Sequence, residues 1–289
     1  MIPKVTAVWE AHCLLGEGPV WLPREQQVRF VDIKAGRVHG FSPATGDLLV
    51  VQTGGEPSFL VPAADGGQIV GSRNCLMRFD ADAGFGEVLA TISEPPGNRT
   101  NDATVDDAGR LWFGTMDDSQ AEPSGAVWCL DRGQLHRAGP TAVVTNGPAV
   151  SIGSHYLYHV DSGARTIWRF ALGDAPVLEH GELFVQLGED EGYPDGVVID
   201  SEDCLWVALW DGWAVRRYAP DGRLLLDIPL PCARPTKVAF GGADLKTAFV
   251  TSARIGLSQA QLADQPLAGS LFAFDAPVAG RVLPEVLLA

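Results

Sequence analysis

Four oxygen-bearing side chains recur in one local setting: Glu17 in Glu-Gly-Pro-Val, Asn101 in Asn-Asp-Ala-Thr-Val, Asn146 in Asn-Gly-Pro-Ala-Val and Asp195 in Asp-Gly-Val-Val-Ile. Each stands just ahead of a small residue and an apolar pair. Two carboxylates and two amides brought to one point would be costly to bury unless a cation neutralised them. Oxygen donors suit a hard divalent ion such as Ca, Mg, Mn or Fe(II); no His or Cys sits at these positions and no HExxH occurs, although Zn stays open. A lone Asn-Gly or Asp-Gly more often serves a turn. Four in the same register argue for a site.

The elements that would position them follow from extending the register. Two weaker members, Ser58-Phe-Leu-Val and Thr236-Lys-Val-Ala-Phe, put the starts at 17, 58, 101, 146, 195 and 236, spaced by 41, 43, 45, 49 and 41 residues. That period is the signature of a propeller, whose four-stranded repeats bury their faces only against neighbours. The stretches that come next agree. Val28-Arg-Phe-Val-Asp-Ile, Arg110-Leu-Trp-Phe-Gly-Thr and Cys204-Leu-Trp-Val-Ala-Leu read as second strands, and Arg37-Val-His-Gly-Phe, Thr166-Ile-Trp-Arg-Phe and Ala214-Val-Arg-Arg-Tyr as third strands. Turns such as Ser42-Pro-Ala-Thr-Gly and Pro220-Asp-Gly punctuate them. Fourth strands are the least regular, with Leu48 to Gln52 and Val88 to Ile92 as examples. The expected fold is all-β, a six-bladed propeller of four-stranded antiparallel blades forming a single domain over residues 1–289. The strand-like stretch from Lys4 to Trp9 is expected to complete the last blade and close the ring, and the tail from Arg281 to Leu288 has a similar strand-like look.

In such blades the start of the innermost strand and the turn after the second strand share one face. Glu17, Asn101, Asn146 and Asp195 are therefore expected to ring one mouth of the central channel. Asp117, Asp118, Asp161, Asp211 and the stretch from Ser252 to Arg254 fall in the neighbouring turns. Arg99, two residues before Asn101, either balances the charge of the acidic mouth or offers a fork of donors for a substrate oxygen. Tyr193, Trp210 and Trp213 offer flat faces for a sugar, although in a chain with eight Trp each is individually better explained as core. One short helical stretch from Ser258, with that serine as N-cap, interrupts the sixth repeat on the mouth side and reads as a rim or lid element.

Composition removes whole classes of partner. A formal charge of −15 and a pI near 4.7 argue against nucleic acid and anionic membrane, both of which require a basic footprint. No apolar run approaches the length of a membrane span, and Met1 to Gly18 lacks the basic and apolar regions of a secretory signal. The expectation is a cytoplasmic monomer that acts on a small molecule. Five widely spaced cysteines, Cys13, Cys75, Cys129, Cys204 and Cys232, read as reduced and mostly buried thiols.

Leu15-Gly-Glu-Gly-Pro-Val-Trp, Asn98-Arg-Thr-Asn-Asp, Gly109-Arg-Leu-Trp-Phe-Gly-Thr-Met, Asn146-Gly-Pro and Tyr193-Pro-Asp-Gly together resemble the gluconolactonase and regucalcin family of six-bladed propellers. The likeness spans nearly the whole chain. It implies one divalent metal held by Glu17, Asn146 and Asp195, with Arg99 and Asn101 at the substrate or at metal-bound water and Asp118 as a further acidic contact. It also implies hydrolysis of a sugar aldonolactone, such as xylono-, arabinono-, galactono- or gluconolactone, to the aldonic acid. Asp195, a carboxylate within the ring, is the candidate catalytic base. No Gly-x-Ser-x-Gly elbow supports a serine nucleophile. Hydrolysis of other esters or phosphoesters on the same ring, and a propeller serving only as an interaction platform, are the alternatives.

Overall fold

The computed structural model describes residues 2–288. Strand order gives six separate four-stranded antiparallel sheets. Their innermost strands are Gly16–Leu22, Pro57–Pro62, Asn98–Val105, Thr145–Val150, Tyr193–Ile199 and Pro235–Gly241, for blades one to six. Each touches the next, and the first touches the last, so they enclose a central channel. In blade six the outermost strand is Thr6–Trp9, paired antiparallel with Leu271–Asp275. The N-terminal strand thus completes the last blade as expected, and the ring is held shut by backbone hydrogen bonds between the two ends of the chain.

Burial along each blade explains which strands can be read from sequence. Innermost strands such as Gly16–Leu22 and Asn98–Val105 are buried at every position, and second strands such as Leu111–Asp117 likewise. Packed between neighbouring blades, second strands such as Leu111–Asp117 carry apolar and aromatic runs, whereas innermost strands such as Asn98–Val105 bury polar side chains towards the channel. Outermost strands such as Leu48–Gln52 and Glu182–Gln186 alternate between exposed and half-buried, so their composition is ordinary surface. The fourth strand of blade two begins earlier than expected, running Gly84–Thr91.

Two hairpins show how single residues fix the blades. In blade three, Asp106 accepts hydrogen bonds from the backbone N–H groups of Ala108 and Arg110, from Arg110 Nε and from Trp112 Nε1. Blade five repeats the device: Asp200 accepts from the N–H groups of Glu202 and Cys204, from Trp206 Nε1 and from Arg217 Nε. A buried carboxylate is stable there because two backbone N–H groups of a tight turn, a tryptophan and an arginine are aimed at it. Trp112 and Trp206, both fully buried, are thereby core residues.

The six innermost strands share an irregularity that matters for function. Pairing with the second strand slips between Glu17 and Val20, Pro57 and Phe59, Thr100 and Ala103, Asn146 and Ala149, Pro194 and Val197, and Pro235 and Lys237. A bulge bends the strand and re-aims a side chain that regular pleating would have placed in the sheet. Gly18 and Gly147 take positive φ at these bulges, which accounts for a small residue behind the oxygen-bearing one.

The tail departs from expectation. Arg281 to Leu288 forms no strand and makes only a bridge between Val286 and Ala63, with Gly280 bridged to Asp200. Arg281, Val282, Leu283 and Pro284 instead line a small space of about 80 Å³ with Val61, Val105 and Val198 from the innermost strands. Apolar residues here plug one end of the channel and do not extend a blade. The helix Gln259–Asp264 is present, with Ser258 Oγ accepting from Gln261 N–H in a capping box. Leu257, Leu262 and Leu267 pack it against the core of blades five and six, while Ile255 and Gly256, just before it, reach the channel mouth.

Candidate active site

A cavity of about 520 Å³ occupies the other end of the channel, lined by Glu17, Arg99, Asn101, Asp118, Asn146 and Asp195 together. Five different strands and turns, from four blades, supply these six residues. Glu17, Asn101, Asn146 and Asp195 are only 5 to 7% exposed, so the ring lies at the bottom of the cavity.

Hydrogen bonds run through the site as one chain. Arg99 Nε donates to Asp118 Oδ1 at 2.7 Å, and its Nη1 donates to Asn101 Oδ1 at 2.7 Å and to Thr100 O at 3.0 Å. Asn101 Nδ2 in turn donates to Asn146 Oδ1 at 2.7 Å and to Thr145 O at 2.8 Å. Asn146 Nδ2 donates to Ser162 Oγ, which donates to Pro194 O beside Asp195. With its amide nitrogen donating to Ser162, Asn146 keeps its oxygen on the side of Asn101 and the ring. The remaining lone pair of that oxygen is available to a cation.

The two ring carboxylates are of a different kind. Glu17 Oε2 accepts from the Gly18 N–H at 3.1 Å. Burial, reinforced by nearby Asp102, pushes its carboxyl up to about 8, with Gly18, Lys237 and Arg99 pulling the other way. Asp195 is raised well above the ordinary carboxylate range, first by burial and then by Glu17 and Asp102. Desolvation and mutual repulsion both disfavour the charged forms. A divalent cation between them removes both penalties, and two carboxylates with an amide oxygen are donors suited to one.

Asp118 has an opposite environment at the rim. Lys34 Nζ reaches both of its oxygens at 2.8 Å, Arg99 takes Oδ1, and Arg73 stands 3.7 Å from Oδ2. Burial raises its pKa, but the bonds from Lys34 and Arg99 outweigh that and hold it below the usual value. The aromatic residues divide. Tyr193 and Trp210 line the cavity, each with an arginine over its ring, Arg165 at 4.1 Å and Arg234 at 4.8 Å; Trp213 is 45% exposed and outside the lining. Asp211 pairs with Arg234, Asp161 holds the N–H of Ala164, and Asp117 holds the loop from Ser119 to Glu122.

Lys34, Gln120, Ser162 and Arg234 also line the cavity and were missed from sequence. Lys34 lies just past the second strand of blade one, so the turn rule that reached Asp118 would have reached it. A separate trio, Cys13, Asp32 and His39, lies within 4.8 Å inside blade one. Asp32 already accepts from the N–H groups of Leu14, Leu15 and Ala35, and burial drives His39 down to about 4 and the Cys13 thiol upward. Those are the properties of neutral packing groups around a capped turn. Among the described residues all five cysteines are free thiols, with Cys75 alone half-buried.

The chain is 37% identical over 278 residues to a 6-deoxy-6-sulfogluconolactonase of Pseudomonas putida, covering 94% of each chain. It is 34% identical over 292 residues to the pentonolactonase XacC of Haloferax volcanii, covering 96% of each. The solved structure of a calcium-binding protein, regucalcin, from Agrobacterium tumefaciens superposes with a TM-score of 0.92 at 28% identity, over 99% of this chain and 97% of that one. Residues 15–254 match the model of the SMP-30/Gluconolactonase/LRE-like region, and the chain belongs to that family.

Proposed function

We propose that this protein is a divalent-metal-dependent lactonase that opens a sugar aldonolactone to its aldonic acid. The observation that carries the reading is the pair of buried carboxylates, Glu17 and Asp195, at the base of one cavity with Asn146, where burial and repulsion from neighbouring carboxylates raise both pKa values and a divalent cation would offset both costs. The sugar-lactone substrates named for two relatives of high coverage support the substrate class.

Glu17, Asn146 and Asp195 are the residues that would hold the ion. When bound there, a divalent cation supplies Lewis-acid polarisation of the lactone carbonyl and stabilises negative charge on its oxygen. Arg99 and Asn101 orient the sugar: Arg99 spends Nε and Nη1 on Asp118, Thr100 and Asn101, which leaves Nη2 for a substrate oxygen. Asp118 and Lys34 brace that guanidinium from the rim. Asp195 accepts the proton of the attacking water, whose oxygen bonds to the carbonyl carbon; the ring C–O bond breaks and the proton passes to the departing alkoxide.

A panel of aldonolactones and aryl esters, each assayed with Ca²⁺, Mg²⁺, Mn²⁺, Fe²⁺ and Zn²⁺, tests the proposal. Turnover of one or more aldonolactones, dependent on a divalent ion and well above that of the esters, is expected. Hydrolysis of aryl esters alone would replace the substrate class, and no hydrolysis of any member would leave a binding propeller.

A further inference from the structure

Directly beneath the ring, the residue following each ring position forms a second layer: Gly18, Phe59, Asp102, Gly147, Gly196 and Lys237. Lys237 belongs to blade six and Asp102 to blade three, which stand opposite each other in a ring of six. The lysine nevertheless reaches across: its Nζ donates to Asp102 Oδ1 at 2.6 Å and to Ala103 O at 3.1 Å. Glycines make the crossing feasible. A Cβ at Gly196, next to Asp195, would come within 2.5 Å of Lys237 Cβ and 2.6 Å of Lys237 Cγ. The pair is 6 and 2% exposed and borders the plugged lower space.

A hydrocarbon side chain would block the channel equally well, so blocking does not explain two buried charges. Asp102 Oδ2, moreover, is buried with no hydrogen-bond partner among the described residues. Asp102 adds to the repulsion felt by both Glu17 and Asp195, and Lys237 relieves it in both. We infer that Asp102 and Lys237 are positioning residues that set the charge beneath Glu17, Asn146 and Asp195 and so fix how strongly that ring holds a divalent cation. The inference rests on the reading of the ring as the metal site.

Opposite charges on one crossing pair give effects of opposite sign. Lys237→Met keeps the length of the side chain but leaves Asp102 as a third uncompensated carboxylate, and calcium should bind about tenfold or more tighter at pH 8. Asp102→Asn releases the ammonium to Glu17 and Asp195, where it competes with the cation, and calcium should bind about tenfold or more weaker. The double variant should return to within about threefold of the parent, as mutual compensation requires. Titration calorimetry of metal-stripped protein with Ca²⁺ reads all four affinities, alongside melting temperatures. Single variants that both melt lower but bind calcium like the parent, or that both bind more weakly, would make the pair a structural strut and overturn the inference. Should Lys237→Met not fold, Lys237→Gln, which also removes the charge, takes its place: tighter binding supports the role and unchanged or weaker binding overturns it. A parent that binds no divalent ion would overturn the reading of the ring itself, and this inference with it.

Discussion

The two ends of the channel are built by the same six strands and have opposite characters. One end holds a cavity of about 520 Å³ with Glu17, Asn146 and Asp195 at its base; the other has about 80 Å³, lined by valines and plugged by the tail. Lys237 and Asp102 cross between them. The bulge in each innermost strand lies at this transition, and beyond it strands resume regular pairing and apolar packing. Stability and chemistry are thereby separated along one axis. A half-satisfied polar cluster is tolerated at the wet end because the dry end and the blade interfaces supply the hydrophobic burial.

That contrast can be broken by placing matched substitutions at either end. Asp195→Asn keeps an oxygen for coordination while removing the charge and the proton acceptor, and turnover at saturating lactone and metal should fall roughly 10²- to 10⁴-fold. Its melting temperature in metal-free buffer should not fall, since a clustered charge is removed. Near-parental turnover in metal-loaded protein would take Asp195 out of the chemistry.

At the dry end, Phe240 is 2% exposed and its ring packs on Trp206 with centroids 5.4 Å apart. Phe240→Ala should cost about 3–5 kcal/mol of stability, by lost burial and a residual cavity. Turnover per folded molecule should remain close to that of the parent. A large loss of turnover with little change in denaturant midpoint would mean that the two ends are not separable.

Between these extremes, Arg99→Leu removes a charged donor that is no metal ligand. The Michaelis constant for the preferred lactone should rise about 10- to 100-fold while bound metal stays at parental stoichiometry. Loss of metal would assign Arg99 to the ion and not to the sugar.

The smallest effect sharpens the electrostatic contrast. Glu17 titrates near 4.5 in the unfolded chain and at about 8 in the folded one, so across that window the folded state binds more protons. Stability of metal-free protein is therefore fullest below the unfolded value and declines as pH rises through the folded one; Asp195 and Asp102, also raised, add with the same sign. Melting temperature in chelator should drop by several degrees between about pH 5 and about pH 8. A saturating divalent ion should shrink that drop, and a flat profile in chelator would mean that the ring is not charge-strained.

How far the sequence reached follows the same division. Fold and ring were legible because Glu17-Gly, Asn146-Gly and Asp195-Gly repeat one local pattern at blade spacing, and at two of the three bulges the glycine takes a positive φ. The fourth strands were faint because half-exposed strands such as Glu182–Gln186 carry little apolar signal. Lys34 and Arg234 escaped notice because a basic residue in a turn is ordinary until the fold brings it to a cavity. The contact of Lys237 with Asp102 spans 135 positions and opposite blades, and no local pattern encodes it. The tail was misjudged for a related reason. Its apolar residues signal burial, but burial under the channel and burial in a blade look alike along the chain.

Metal-stripped protein titrated with Ca²⁺ in a calorimeter, with lactone turnover followed on the same samples, tests the central claim most directly. The account predicts one ion per chain, turnover that returns in proportion to occupancy, and much weaker binding in Glu17→Gln than in the surface variant Glu285→Gln. Full turnover in rigorously metal-free protein, or equal calcium affinity in those two variants, would contradict it.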